Sequence, residues 1–217
     1  MKKIFSLLFL STVLFSCTSN TKTEDRNADS AAANAPATAS TPAVSNDVNI
    51  DDIPVSEKDP GVFPYLQPPA DYCYGYCNNW KGTIRPEDVK ENDSEYFAVD
   101  GKLVKKTGKT YKATLEKNRA KDDKRFESAF VEDSYSATIG ELGGVQVNEK
   151  TIPKEEIRRV GDEELIDKKY GHSIDYNLLD RVKTYVIRTK EKEIWIQFCL
   201  MNEESGRITI LEAPENK

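Results

Sequence analysis

Histidine is almost missing from this chain: among 217 residues there is one, His172. Imidazole clusters that bind metals therefore have no material, and any acid–base relay would have to pass through that single ring. Ser173 and Asp175 stand beside it, but a triad is defined by spatial roles rather than adjacency, and Gly171, Ser173, Asp175 and Asn177 together read as a loop. Also absent is a basic stripe. Lysine and arginine alternate with aspartate and glutamate, as in Lys121-Asp122-Asp123-Lys124, and the net charge is -6, which argues against nucleic acid as a partner. Paired carboxylates such as Asp122-Asp123 and Glu163-Glu164 read as solvated faces. Cysteine is scarce, and no two cysteines have the two-residue spacing of a redox motif. A zinc set of Cys73, Cys77, Cys199 and His172 has spacings unlike the usual ligand pairs, so no metal and no cofactor is expected. Gly140, Gly143 and Gly144 run from helix to strand, the reverse of a phosphate-binding loop. After the first residues no further long apolar run occurs.

The one apolar run present lies at the start. Lys2 and Lys3 precede an apolar stretch from Ile4 to Phe15, which ends in Leu14-Phe15-Ser16-Cys17. The stretch is too short for a spanning helix, which needs ~20 apolar residues, and has the organisation of a secretory signal. Residues 14–17 resemble a bacterial lipobox, which implies cleavage before Cys17 and a diacylglycerol thioether on its sulfur. Phe15 is bulkier than usual for that motif, and the alternative is an ordinary cleaved signal with an incidental cysteine. Acyl burial contributes roughly 0.8 kcal/mol per methylene, so two or three chains make release from a membrane negligible.

The expected organisation is a lipoprotein signal peptide over 1–16, a lipidated start and flexible linker over 17–48, and one α+β globular domain over 49–217. The linker is rich in Ser, Thr, Asn, Ala and Pro without apolar periodicity, and a coil of that length reaches roughly 30 Å.

Within the domain, Asp100-Gly101 predicts a two-residue hairpin turn between strands at 95–99 and 102–116, with a bulge or turn near Gly108. Val131, Tyr135, Ile139 and Leu142 give one face of a helix over 127–142, ended by Gly143-Gly144 and followed by a strand at 145–147. Strands at 182–188, 193–200 and 207–211 make an antiparallel meander. On the middle one, Ile194, Ile196, Phe198 and Leu200 form an apolar face that should meet the helix, and Trp195 lies on the other face, either as a binding aromatic or under covering loops. The fold class expected is thus α+β, a hairpin and C-terminal meander packed on one main helix.

Three stretches carry a family likeness: Asp59-Pro60-Gly61-Val62-Phe63-Pro64-Tyr65-Leu66-Gln67-Pro68-Pro69, then Tyr96-Phe97-Ala98-Val99-Asp100-Gly101-Lys102, and Ile194-Trp195-Ile196-Gln197, with Tyr135 and Gly143-Gly144 between. Together they resemble the amino-terminal domain of certain OmpA-family outer-membrane proteins, in which a peptidoglycan-binding module follows. The resemblance implies an envelope setting and little chemistry, and no catalytic role is known for the resembling domain. This sequence stops near Pro214, about where that module would begin, so wall binding is not carried over.

The segment Tyr72-Cys73-Tyr74-Gly75-Tyr76-Cys77-Asn78-Asn79-Trp80 is the candidate contact surface, with Tyr72, Tyr74, Tyr76 and Trp80 offering rigid aromatic area; the alternative is that it folds back over the sheet. An exported domain with three cysteines beyond Cys17 is expected to form one disulfide and keep one thiol. Joining Cys73 to Cys77 would stabilise by about 2 kcal/mol, and joining either to Cys199 by nearly ~5 in the same entropy treatment. The functional expectation is a non-enzymatic, lipid-anchored envelope protein, facing the periplasm or the exterior and binding another envelope protein or polymer. Alternatives are an immunity-type inhibitor of a toxic enzyme and an envelope hydrolase, the latter needing a pocket that joins His172 to a nucleophile.

Overall fold

The Asp100-Gly101 pair sets the first half of the fold. Both residues have positive φ, 49° and 82°, the backbone of a type I′ turn, whose twist matches the strands it joins. It links β2 (Val89–Val99) to β3 (Lys102–Lys117), paired from Val99↔Lys102 back to Val89↔Tyr111 with an irregularity between Lys90 and Asp93. The computed structural model describes residues 49–75, 77, 84, 88–119, 125–201 and 204–214, all within the unit Ala43–Lys217.

β1 (Tyr72–Tyr74) lies further along the same edge of β3, and β7 (Ser205–Pro214) pairs with the opposite edge through Lys109↔Glu212 to Glu116↔Ser205. β6 (Lys192–Met201), β5 (Val182–Arg188) and β4 (Val145–Asn148) continue the sheet, every pairing antiparallel. The path runs β1-β3-β7-β6-β5-β4, with β2 added on β3.

At Gly108 β3 passes the end of β7 so closely that a Cβ there would fall inside the Glu212 carbonyl. Only glycine permits that approach. Beyond this point the β2–β3 hairpin lies across β4, β5 and β6: Phe97 meets Trp195 with ring centroids 5.4 Å apart, and Asp100 N–H donates to the Val147 carbonyl at 2.9 Å. Gly101 N–H donates to Asn148 Oδ1 at 2.8 Å. Trp195, wholly buried, is thus covered by the strands of the hairpin rather than by loops, and is not a surface binding aromatic.

The opposite face of β6 carries Ile194, Ile196, Phe198 and Leu200. It shares a core with Val131, Tyr135 and Ile139 of helix α1 (Ser128–Glu141), and Tyr135 lies 5.6 Å from Phe198. The architecture is α+β, but the seven-stranded sheet dominates it. A short helix α2 (Lys154–Val160) and a π-helical turn (Glu163–Asp167) also occur where no helix was expected. Ile157 and Val160 are too few apolar positions to announce α2.

Candidate functional site

A buried carboxyl and an ammonium meet beneath the hairpin. Alternation along β2 sends Glu95 inward, where it has no exposure. Its Oε1 accepts from Ser173 N–H and Ser173 Oγ–H, both at 3.0 Å. Its Oε2 faces Lys112 Nζ of β3 at 3.0 Å, but no hydrogen bond is aligned on that oxygen. Lys112 is shared: its ammonium also meets Asp93 Oδ2 at 3.1 Å and donates to the carbonyls of Ser94 at 2.7 Å and Lys169 at 2.9 Å. Gln197 of β6 closes the set, donating to Ser173 Oγ at 3.0 Å and to the Tyr96 carbonyl at 3.1 Å, and accepting from Ala98 N–H at 2.7 Å and Thr184 Oγ–H at 2.9 Å.

Burial pushes the Glu95 carboxyl up to about 7, against the pull of Lys112 and the Ser173 donors. For Asp93 burial acts in the same upward sense, but the Ser94 N–H and Lys112 outweigh it and hold the group below its ordinary value. A serine, a carboxylate and an ammonium in contact have the composition of a nucleophilic site. Here, however, Glu95, Ser173 and Gln197 have essentially no surface, and the arrangement binds β2, β3, β6 and the 169–173 turn together.

His172 stands apart from this set. Its Nε2 donates to the Ala113 carbonyl at 3.2 Å, and burial pushes its pKa below the ordinary value, which favours the neutral ring. Asp175 accepts from Asn177 N–H at 2.9 Å, a local turn. His172, Ser173 and Asp175 therefore engage three different partners, and the histidine is not brought to the serine as a base.

The structure joins Cys73 to Cys77, with Cα atoms 5.6 Å apart, and leaves Cys199 as a buried free thiol that burial pushes up to about 11. The disulfide takes two of the conceivable zinc ligands out of play. Among the described residues no group of three histidine, cysteine or acidic side chains is placed to hold a metal.

The aromatic contact surface needs correction. Tyr72 and Tyr74 lie in β1, both buried. Pairing with Leu115 and Lys117 turns them inward, where Tyr72 packs edge-on against Phe126 and the Tyr74 hydroxyl accepts from Tyr135 at 3.0 Å. Tyr76, Trp80 and the lipidation residue Cys17 lie outside the described residues. No family model, curated protein or solved structure matches this chain.

Clefts open on the described surface away from the Glu95 set. One, of about 1000 Å³, is lined by Arg119, Arg125, Phe126, Phe130 and Glu204, and holds the half-exposed Phe130 stacked on Tyr72 at 5.9 Å. Another, of about 360 Å³, lies between Asp59, Gly61, Thr189 and Lys192. Beside it Tyr65 donates to Glu212, and Lys192 donates to the Tyr65 hydroxyl at 2.8 Å. Burial pushes Tyr65 up to about 12, which keeps the phenol protonated. Neither cleft contains Glu95, Ser173 or His172. What could have announced the buried set in the sequence was Gln197, the one polar side chain in the apolar run 194–201.

Proposed function

We propose that this chain is a lipid-anchored, non-enzymatic lipoprotein of the bacterial outer membrane that presents its α+β domain as a binding or structural module on a flexible tether. The observation that carries the reading is the run Lys2-Lys3, the apolar stretch to Phe15, and Leu14-Phe15-Ser16-Cys17. The Cys73–Cys77 disulfide supports export, because such bonds persist in oxidising compartments. A non-catalytic role is supported by the position of Glu95, Ser173 and His172, which serve internal packing and line neither cleft. The OmpA-family resemblance favours an envelope component, protein or polymer, as the partner. We also infer that α1 is the main helical support of the meander.

Crosslinking in intact cells tests the binding role. Capture of the full chain should recover a defined envelope component alongside it, and a Cys17→Ser variant should lose that component. Recovery of the chain alone contradicts a binding module.

A further inference from the structure

Residues 161–175 cross the β2–β3 hairpin in turns and a single π-helical segment, and much of their attachment is polar. Lys112 holds the Lys169 carbonyl, and Tyr96 N–H donates to the Tyr170 carbonyl at 2.7 Å. Ser173 is held from below by Glu95 and from the side by Gln197. Glu164 is held from β2 and β3 by Tyr96 and Lys105, at 3.1 and 2.7 Å. Leu165 and Ile174 supply the apolar part. The segment starts at Gly161, whose φ is 86° and around which nothing lies within 4 Å of a would-be Cβ. Such a residue can act as a pivot.

We propose that Glu95 pins residues 161–175 as a proton-responsive strap across the hairpin, held tightest while Glu95 carries a proton and loosened as it ionises. The closed strap keeps the carboxyl from water, and that burial outweighs what the Ser173 donors and the Lys112 ammonium offer the charged form. Its single cation, Lys112, is divided between Glu95 and Asp93, and Oε2 has no aligned donor. An opened strap would admit water to the carboxylate, which strongly favours ionisation.

The charged neighbours do not cancel this. From β3 the facing group is the Lys112 ammonium, and from β2 it is Asp93, held ionised. β6 contributes the uncharged Gln197. On the strap itself, Tyr170 lies with its ring 5.6 Å from Lys112, and His172 is the remaining titrating group. His172 acts in the opposite sense, since burial disfavours its charged form, and its effect fades as pH rises past its ordinary value of 6.5.

The sign follows from linkage. With the closed value of Glu95 at about 7 and its ordinary value at 4.5, closure is strengthened at acid pH, and that gain is lost as pH rises through 7. Between about pH 6.5 and 8.5 Glu95 alone gives a roughly four-fold increase in strap opening, which the half-charged His172 ring of the opened strap at pH 6.5 reduces to about two-fold.

Hydrogen exchange on the full chain in detergent micelles, corrected for the intrinsic pH dependence of exchange, reads this opening. Protection of amides in 165–173 should fall about two-fold from pH 6.5 to 8.5, with β6 amides such as Ile196 unchanged, and Glu95→Gln should abolish the fall. Three results would each overturn the strap: constant protection in the parent, a parallel fall at β6, or an unaltered profile in Glu95→Gln. Should that variant fail to fold, a carboxyl-carbon titration of Glu95 in the parent decides instead. A midpoint near 7 supports the strap, and a midpoint near 4.5 overturns it.

Discussion

Replacing Lys112 by Met should destabilise the domain by about 3–5 kcal/mol at pH 8, as read from urea denaturation. The substitution keeps the length of the aliphatic stem but removes the ammonium that serves Glu95, Asp93 and two backbone carbonyls. A carboxylate with no exposure is then left without a cation, the situation in which breaking a buried pair costs most. The loss should shrink at pH 5. Glu95 is raised to about 7 already in the parent, so at pH 5 it is largely neutral and has little need of Lys112. In the variant its pKa rises further, so stability falls more steeply as pH increases above 7. An equal loss at both pH values would mean that the ammonium serves Asp93 and the carbonyls rather than Glu95.

Trp195→Ala should cost about 3–5 kcal/mol, the range for removing a fully buried tryptophan. The indole is wholly buried between β6 and the hairpin, in contact with Phe97 and 4.5 Å beneath the ammonium of Lys106. Its Nε1–H donates to Glu193 Oε2 at 2.9 Å, and Lys106 pairs with the same oxygen at 2.9 Å. Trp195→Phe keeps an aromatic body but drops that donor, so about 1.5–3 kcal/mol of loss is expected from the hydrogen bond to a charged acceptor. Denaturation midpoints of the two variants should therefore rank parent, Phe, Ala. A loss below ~1 kcal/mol in Trp195→Ala would mean that the hairpin does not cover this face.

The local elements were readable because their signals are local. Asp100-Gly101 satisfies a turn that demands positive φ twice. Val131, Tyr135 and Ile139 repeat at helical spacing and are all buried. The meander at the end of the chain is announced by alternation along β6, whose apolar side faces α1 and whose other side carries Trp195, Gln197 and Cys199. What stayed hidden depends on distant partners. β1 is a strand only because Tyr72 finds Lys117 and Tyr74 finds Leu115, and that pairing turns candidate surface tyrosines into core. The fold-over at Gly108 is set by a contact with Glu212, across more than half the domain, so the residue reads in isolation as an ordinary bulge. Glu95, Lys112 and Ser173 are unremarkable in sequence, and Gln197 alone stands out, as a polar residue in an apolar run. They become a network through the crossing of β2, β3 and β6 with the 169–173 turn.

The proposed attachment, acyl chains on the Cys17 sulfur holding this protein to a membrane, is tested most directly by metabolic labelling with a palmitate analogue. The parent should take up label and sediment with membranes, and a Cys17→Ser variant should lose both the label and the sedimentation. A variant labelled as strongly as the parent, or a full-length parent that stays in solution without detergent, would contradict it.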